Sequence, residues 1–223
     1  MTIFLDTETT GLETQDKICS IAVISEDKEI YELVNDGKKI PPLASSINHI
    51  TNEMIKDKAK LLDTKSYNYL QKNNSQDTTI IGHNVKFDLQ MLSKSGFNFK
   101  GTLIDTLRVT KHLVPECEIF SLQFLRYELK LYKQEDENTR AHNALSDAKL
   151  LKLLYAYLLD FASHEKMIEL SSQNVLMQKF EFGKYSGRYI EEISMIDRGY
   201  LEWMLNNIMD LDEDLRYSIT YYL

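Results

Sequence analysis

Four carboxylates and one histidine lie where the sequence pattern changes between strand, loop and helix. In "FLDTETTG", Asp6 and Glu8 alternate along a predicted strand, so both side chains point to one face, with Cα atoms about 6.6 Å apart. Two acids on one face repel each other and resist removal from water, and a bound cation would relieve both costs. The alternative is a strand that ends by Asp6, with both acids in solvent.

Two further acids occupy apolar stripes near the starts of predicted helices. In "IIGHNVKFDLQML", Asn84 is a predicted N-cap, and Asp88 lies one turn before Leu92 on the same helix face. In "RAHNALSDAKLLKLL", Asp147 continues the stripe that contains Leu151. An acid at the position of Asp88 also suits the helix dipole, so either acid taken alone leaves a purely structural reading open.

His142 precedes Asp147 by about 500° of helical rotation, so the two side chains converge only if His142 lies on the preceding loop. A lone histidine is equally compatible with an ordinary surface or core position. Taken together, however, the acids and the histidine form a set that suits hard divalent cations such as Mg²⁺. Such a set could hold two ions about 4 Å apart for an in-line phosphoryl displacement.

The elements that must position these residues predict an α/β protein. The segments "TIFLDTE", "KICSIAVI" and "EIYELVN" read as an antiparallel meander, and residues 51–72 read as helical. "TTIIGH" and "TLIDTLRVTKHL" each begin with a short buried strand, "SLQFLRYELKLY" is a predicted helix, and residues 143–161 form the longest one. We therefore expect a mixed five-stranded sheet flanked by helices.

The pattern weakens near residues 160–180 and restarts with the aromatic segment "FEFGKYSGRYIEEI". This change predicts a main domain at 1–165 and a small C-terminal α+β module at 176–223. The module has too few residues for an independent core, so we expect it to dock on the main domain.

Composition narrows the function classes. The net charge of −8 at pH 7 argues against a protein that coats nucleic acid through bulk positive potential, so a polyanionic substrate would need a cation or a local basic patch. Cys19 and Cys117 have no metal-like spacing and are predicted to be reduced. Because no apolar run reaches the roughly 20 residues that span a bilayer, we expect a cytoplasmic protein without a membrane partner.

The same residues resemble the three motifs of the DEDDh 3′→5′ exonucleases, the proofreading-nuclease family. "FLDTETTGL" matches the D-x-E motif, "GHNVKFDLQML" the second motif, and "AHNALSDAKLL" the H-x-A-x-x-D motif. The matched functional positions are Asp6, Glu8, Asp88, His142 and Asp147. The resemblance implies a ribonuclease H-like fold, two Mg²⁺ or Mn²⁺ ions, and stepwise hydrolysis from a 3′ end to nucleoside 5′-monophosphates.

The resemblance also implies roles for individual residues. The four acids would carry the metals, with Asp6 the candidate to bridge both ions, and His142 would take a proton from the attacking water. Thr7, Thr9 and Ile50 are the candidates to contact the terminal nucleotide.

One segment departs from the family pattern. Where the family often has H-x-I-T, "SINHITNEM" places Asn48 at the histidine position, with His49 beside it. Contact between this segment and the terminal nucleotide is therefore less secure than the metal site.

The C-terminal segment resembles that of exodeoxyribonuclease X-like members of the family, with Arg188 in place of a Lys and Arg198 in place of a Pro. In "KYSGRY", Lys184 and Arg188 alternate with tyrosines, a pattern that suits phosphate contact and base stacking. A hairpin with buried aromatic residues would give the same pattern. Tyr200 and Trp203 lie at helical spacing and are predicted to belong to the core.

The leading hypothesis is a DNA 3′→5′ exonuclease that acts in repair or end trimming on single-stranded or duplex DNA. A polymerase proofreading subunit and an RNA 3′-end trimming enzyme are alternatives, because the metal site reads phosphates and the distinction rests on the 2′-hydroxyl. A non-catalytic nucleic-acid-binding module is the alternative from a different class.

Overall fold

The computed structural model describes residues 1–135 and 143–223. Two compact units divide the chain, the first at Met1–Ser171 and the second at Ser172–Leu223. The first unit ends a few residues after the domain expected at 1–165, and the second begins a few residues before the module expected at 176–223. Each unit has a hydrophobic core of its own, so the expectation that the C-terminal module is too short for an independent core is wrong.

The first unit is built on a mixed sheet with the strand order β3-β2-β1-β4-β5. The described strands are β1 Thr2–Thr9, β2 Ile18–Ile24, β3 Glu29–Leu33, β4 Thr79–Gly82 and β5 Thr102–Asp105. The first three strands pair antiparallel, as the meander predicted, whereas β4 pairs parallel to β1 and to β5. The central strand β1 therefore has a hydrogen-bonded neighbour on both sides.

The helices complete the two faces of this sheet. From residue 42 to residue 172 they are α1 Pro42–Asn48, α2 Asn52–Ile55, α3 Lys65–Lys72, α4 Val85–Ser93, α5 Thr106–Leu113, α6 Leu122–Glu128, α7 Ala144–Leu158 and α8 His164–Ser172. Short 3₁₀ turns occupy Leu61–Asp63 and Leu131–Gln134. Among the described residues, α7 is the longest helix, as the stripe at 143–161 predicted.

Alternation along β1 separates two cores. Phe4 faces a cluster that contains Leu151 and Leu154 of α7, whereas Ile3 and Leu5 face a cluster formed with α3 and α4. The apolar run of β2 is buried along its whole length, which is what a strand covered on both faces requires.

The prediction of one helical stretch over residues 51–72 is wrong in detail. That stretch forms α2, a 3₁₀ turn and α3, because Thr51 and Thr64 each start a new helix by accepting a hydrogen bond from a backbone N–H with the side chain. Between the helices, the carbonyl of Ala59 accepts from the backbone N–H of Asn35, and this bond draws the chain towards the end of β3.

The second unit consists of an irregular hairpin followed by three helices. Lys179 and Tyr189 form an isolated antiparallel bridge across the hairpin. The helices in this part of the described chain are α9 Ile190–Ile196, α10 Arg198–Asn207 and α11 Glu213–Tyr222. The core prediction for Trp203 is wrong: this residue is 51% exposed, because Leu201 and Met204 occupy the buried face of α10. Tyr200, for which the same prediction was made, is partly buried and packs against the core of the unit.

Within the described ranges, no helix has the length and apolar character needed to cross a membrane.

Substitution of Gly101 by Ala tests the approach of β5 to β4. A Cβ at Gly101 would meet the carbonyl oxygen of Thr78 at 2.0 Å, so backbone must move. We expect a loss of roughly 1–3 kcal/mol in the free energy of unfolding, measured by urea denaturation. The matched control is Gly199→Ala in α10, where a Cβ meets nothing within 4 Å. Equal stability of the two variants would contradict this close packing.

Candidate metal centre

Three of the predicted acids meet at one end of the sheet. Carboxylate oxygens of Asp6, Glu8 and Asp147 all lie within 4.8 Å of one another. Asp6 and Glu8 pair with Ala22 and Ser20 across β1 and β2, and β1 continues to Thr9. The alternative in which the strand ends by Asp6 is therefore wrong, and both acids share the face on which α7 packs.

The first turn of α7 is anchored so that Asp147 reaches this face. The side chain of Asn143 accepts hydrogen bonds from the backbone N–H groups of Leu145 and Ser146 at 3.2 and 3.4 Å, which caps the helix. Its amide also donates to the Tyr31 hydroxyl at 3.2 Å. Asp147 is only 7% exposed, at the end of a stripe of buried leucines, as the sequence predicted.

Asp88 approaches from the opposite face of the sheet. It lies in the first turn of α4, is 5% exposed, and accepts a hydrogen bond from the Thr7 hydroxyl at 2.6 Å. The start of α4 is fixed by Asn84, which has a φ of 66° and donates its backbone N–H to Asp105 at 2.9 Å. Asn84 occupies the predicted N-cap position, but the bond that holds it there comes from its backbone.

The arrangement places like charges close together and away from water. Burial raises the pKa of Asp6 well above its ordinary value, and Asp88, Asp147 and Glu8 raise it further. Burial, followed by the charges of Asp147 and Asp88, raises the pKa of Glu8 to about 7. Burial also raises the pKa of Asp88 to about 7, although the hydrogen bond from Thr7 opposes the shift. A bound cation would reverse the repulsion that contributes to these shifts.

Gln123 is a site residue that the sequence reasoning missed. From α6, its side-chain amide donates to Asp147 Oδ1 at 2.5 Å, and its carbonyl oxygen accepts from Arg126 at 3.5 Å. Arg126 in turn pairs with Glu135. This chain of contacts fixes the orientation of the Asp147 carboxylate. The signal in the sequence is a polar residue between Leu122 and Leu125, which is too common in helices to indicate a site.

Asp105 is a second residue that the sequence reasoning missed. Besides holding Asn84, it caps α5 by accepting from the backbone N–H of Leu107 at 3.1 Å. It is 3% exposed, and its charge raises the pKa of Asp88. The available signal was an acid at the end of a short buried strand in "TLID".

The remaining predicted site residues differ in their surroundings. His142 lies outside the described residues. Thr9 is 9% exposed and donates its hydroxyl to the carbonyl of Gly11 at 2.7 Å. Ile50 is 2% exposed and belongs to an apolar cluster with Cys19 and Ile40. Contacts of Thr7, Thr9 and Ile50 with a nucleotide stay predictions.

Asn48, at the position where the family often has histidine, connects α1 to the end of β1. Its buried amide donates to the carbonyl of Thr9 at 3.3 Å, and its Oδ1 accepts from the backbone N–H of Ile50 at 3.0 Å. His49 follows with a φ of 59°. Asn48 thus joins the two segments in which the candidate nucleotide contacts lie.

Lys184 and Arg188 lie in the second unit. Lys184 pairs with Asp197 at 2.9 Å, and Arg188 donates to Glu192 at 3.2 Å. Both cations are exposed at the hairpin.

Comparison with known sequences identifies the class that this fold and acidic cluster define. A family model described as "Exonuclease" matches residues 3–155, and one described as "Exodeoxyribonuclease X-like C-terminal" matches residues 180–209. The chain therefore belongs to the exonuclease family, and the expected ribonuclease H-like α/β fold is confirmed.

Individual relatives are consistent with this family. The chain is 29% identical to exodeoxyribonuclease 10 of Escherichia coli (strain K12), over 98% of this chain and 97% of that protein. It is 31% identical to the DNA polymerase III subunit epsilon of Rickettsia prowazekii (strain Madrid E), over 70% of this chain and 72% of that one.

A solved structure agrees with these matches. The structure described as exonuclease X in complex with 5′ overhanging duplex DNA has a TM-score of 0.63 and 26% identity. The match spans 77% of this chain and 100% of the chain in the solved structure.

The donor set fits a divalent metal. Three carboxylates within reach of one ion supply hard oxygen ligands, and the raised pKa values of Asp6 and Glu8 show that the cluster needs a counter-charge. This fit agrees with the divalent-metal requirement general to exonucleases of this kind.

Glu8→Gln tests the electrostatic cost of the cluster. Because the pKa of Glu8 is raised from 4.5 to about 7 by folding, the metal-free folded state holds a proton that the unfolded state has lost, and stability falls as pH rises through this window. At pH 8 with chelator, we expect the variant to exceed the wild type in unfolding free energy by on the order of 1 kcal/mol.

The difference should vanish near pH 4, where Glu8 is protonated in both states. The control is Glu26→Gln on the exposed β2–β3 turn, which should show no such difference. A variant no more stable than the wild type at pH 8 would contradict the repulsion. Urea denaturation at both pH values gives the comparison.

Gln123→Leu tests the support of Asp147. Loss of the amide donor frees the carboxylate to rotate, so we expect the midpoint of the Mg²⁺-induced rise in melting temperature to move to about tenfold higher Mg²⁺. The control is Gln90→Leu on the exposed face of α4. An unchanged midpoint in Gln123→Leu would show that the hydrogen bond does not orient Asp147.

Proposed function

We propose that this chain is a metal-dependent 3′→5′ exodeoxyribonuclease that releases nucleoside 5′-monophosphates. The observation that carries the proposal is the cluster of Asp6, Glu8 and Asp147, beside which Asp88 contributes to the electrostatic potential. Acids placed this closely in a partly buried site suit the binding of cations that act on a phosphodiester.

DNA as the substrate is supported by the relatives. Exodeoxyribonuclease 10 matches over nearly the full length of both chains, and the solved exonuclease X structure contains duplex DNA with a 5′ overhang. The match at residues 180–209 to an exodeoxyribonuclease X-like segment favours this assignment over a polymerase proofreading subunit, whose match covers 70% of this chain. RNA 3′-end trimming is the alternative activity, and a comparison of DNA with RNA substrates tests it.

Asp6, Glu8, Asp88 and Asp147 would hold two ions, either Mg²⁺ or Mn²⁺. When bound, such ions supply Lewis acidity for an in-line phosphoryl displacement. The protein's own contribution is orientation: Thr7 fixes Asp88, and Gln123 fixes Asp147. Acids held in place from neighbouring elements need little rearrangement when the substrate phosphate arrives.

His142 would act as the general base. By resemblance to the family motif, a neutral ring nitrogen of His142 would accept the proton of the attacking water. That role requires a neutral imidazole, and bound cations beside the ring would favour this form. Thr7, Thr9 and Ile50 would line the position of the terminal nucleotide, with Asn48 connecting the segments that contain Thr9 and Ile50.

Asp6→Asn tests the proposed catalysis. The substitution keeps the size of the side chain and removes one charge. We expect the rate of Mg²⁺-dependent degradation of an oligonucleotide to fall by more than roughly 100-fold. A loss of about that size is the upper range for removal of a residue that only hydrogen-bonds to a metal ligand, and Asp6 is proposed to be a ligand itself. The control variant is Glu26→Gln, an acid on an exposed turn. Far-ultraviolet circular dichroism checks that both variants fold.

The substrates are matched single-stranded DNA, duplex DNA and RNA, each labelled at either end. A ladder that shortens from the 3′ end and stops on chelation supports the proposal. Full activity in Asp6→Asn, or cleavage that persists with chelator, refutes it. Binding without degradation would instead support the non-catalytic module.

A further inference from the structure

Three aromatic rings of the second unit contact one another: Trp203 is exposed, whereas Tyr185 and Tyr200 are partly buried against the core of the unit. Tyr200 and Trp203 on α10 stack with centroids 6.0 Å apart at 25°, and Tyr185 of the hairpin meets Tyr200 edge to face at 5.1 Å. Trp203 is 51% exposed. We call Tyr185, Tyr200 and Trp203 the aromatic platform. Exposure of half an indole ring forfeits hydrophobic stabilisation, so this surface is of the kind that marks an interaction site.

The hairpin segment that contributes Tyr185 is locally basic in an otherwise acidic protein. The hairpin segment 179–189 contains three cations and a single carboxylate, whereas the whole chain has a net charge of −8. Lys184 Nζ lies 4.7 Å from the ring centroid of Tyr185 and 5.5 Å from that of Tyr200. The guanidinium of Arg188 lies 6.0 Å from the Tyr185 centroid. Cations therefore lie beside two of the three platform rings.

Asp197 and Glu192 hold these cations in place without burying them. Asp197 accepts from the Tyr185 hydroxyl at 2.6 Å and from Lys184 at 2.9 Å, so ring and ammonium are oriented together. Glu192, in the first turn of α9, pairs with Arg188 of the hairpin. Exposed ion pairs of this type are weak, so an arriving phosphate can share or replace the carboxylate.

The backbone beneath the platform is fixed. Gly183 and Gly187 have φ values of 80° and 82°, which permit the tight hairpin. The backbone N–H of Gly187 donates to the carbonyl of Phe180 at 2.7 Å, and Phe180 is buried in the core of the unit. The platform is therefore supported by a hydrophobic core, and binding would order little additional chain.

We propose that the aromatic platform binds unpaired bases of a DNA strand, with Lys184 and Arg188 contacting the flanking phosphates. The inference rests on the proposed function, which supplies DNA as the substrate, and assigns the second unit to holding it. Rings that stack on any base, next to cations spaced for a backbone, are the combination that binds single strands without sequence preference. An apolar protein partner would not need the cations that lie beside Tyr185 and Tyr200.

Trp203 makes the test direct, because it is the only tryptophan in the sequence. The full chain is titrated with an unlabelled oligo(dT) of about 12 nucleotides, and tryptophan emission is followed. A chelator in the buffer prevents hydrolysis of the strand. We expect saturable quenching of Trp203, with weaker binding at higher salt. A blunt duplex of the same length should quench far less, because its bases are already stacked on each other.

Variants locate the binding surface. We expect Tyr200→Ala and Lys184→Glu each to weaken oligo(dT) binding by about tenfold, measured by anisotropy of a labelled strand in chelator. The matched control is Tyr221→Ala, which removes a tyrosine that is 64% exposed outside the platform and should leave binding unchanged. A melting curve for each variant verifies folding.

The outcomes separate this inference from the proposed function. If anisotropy shows oligo(dT) binding but Trp203 emission does not change, the proposal that the platform binds bases is refuted. Wild-type affinity in both Tyr200→Ala and Lys184→Glu also refutes it. If wild-type protein degrades DNA from its 3′ end while emission stays constant, only the platform fails. If emission is quenched but no degradation occurs with Mg²⁺, only the catalytic proposal fails.

Discussion

Electrostatic repulsion between carboxylates is the constraint on which the first unit depends. Asp6 and Glu8 are forced onto one face by strand alternation, and α7 brings Asp147 to the same place. Hydrophobic burial on both faces of the sheet keeps these acids close together. On one face, Leu151 and Leu154 pack α7 against the strands. The fold thus holds in one place charges that would separate in an unfolded chain, and a cation gains binding energy from that preorganisation.

The acids are held from neighbouring elements rather than from their own. Thr7 on β1 holds Asp88 of α4, Gln123 of α6 holds Asp147 of α7, and Asp105 at the end of β5 holds the backbone that begins α4. Each hydrogen bond crosses between two elements, so packing and site geometry are coupled. A substitution that shifts the position of α4 or α6 therefore alters the site even when no proposed metal ligand is replaced.

The sequence predicted the parts that follow from periodicity. Alternation placed Asp6 and Glu8 on one face, and the leucine stripe placed Asp147 in the interior. Contacts between elements could not be predicted from the sequence, because Gln123 looks like any other glutamine in a helix. The helix breaks at Thr51 and Thr64 were missed because the sequence does not show which threonine side chain caps a helix. The error at Trp203 has the same origin, because helical spacing fixes which residues share a face but not which face is covered.

An acidic chain that acts on a polyanion must neutralise charge locally. At physiological salt the Debye length is about 8 Å, so a phosphate senses the groups beside it far more than the net charge of −8. The two units meet this condition in opposite ways: the first concentrates carboxylates that suit cations from solution, and the second has its own cations beside aromatic rings. Binding that depends on local groups in both units explains how a negative surface potential and a nucleic-acid substrate are compatible in one chain.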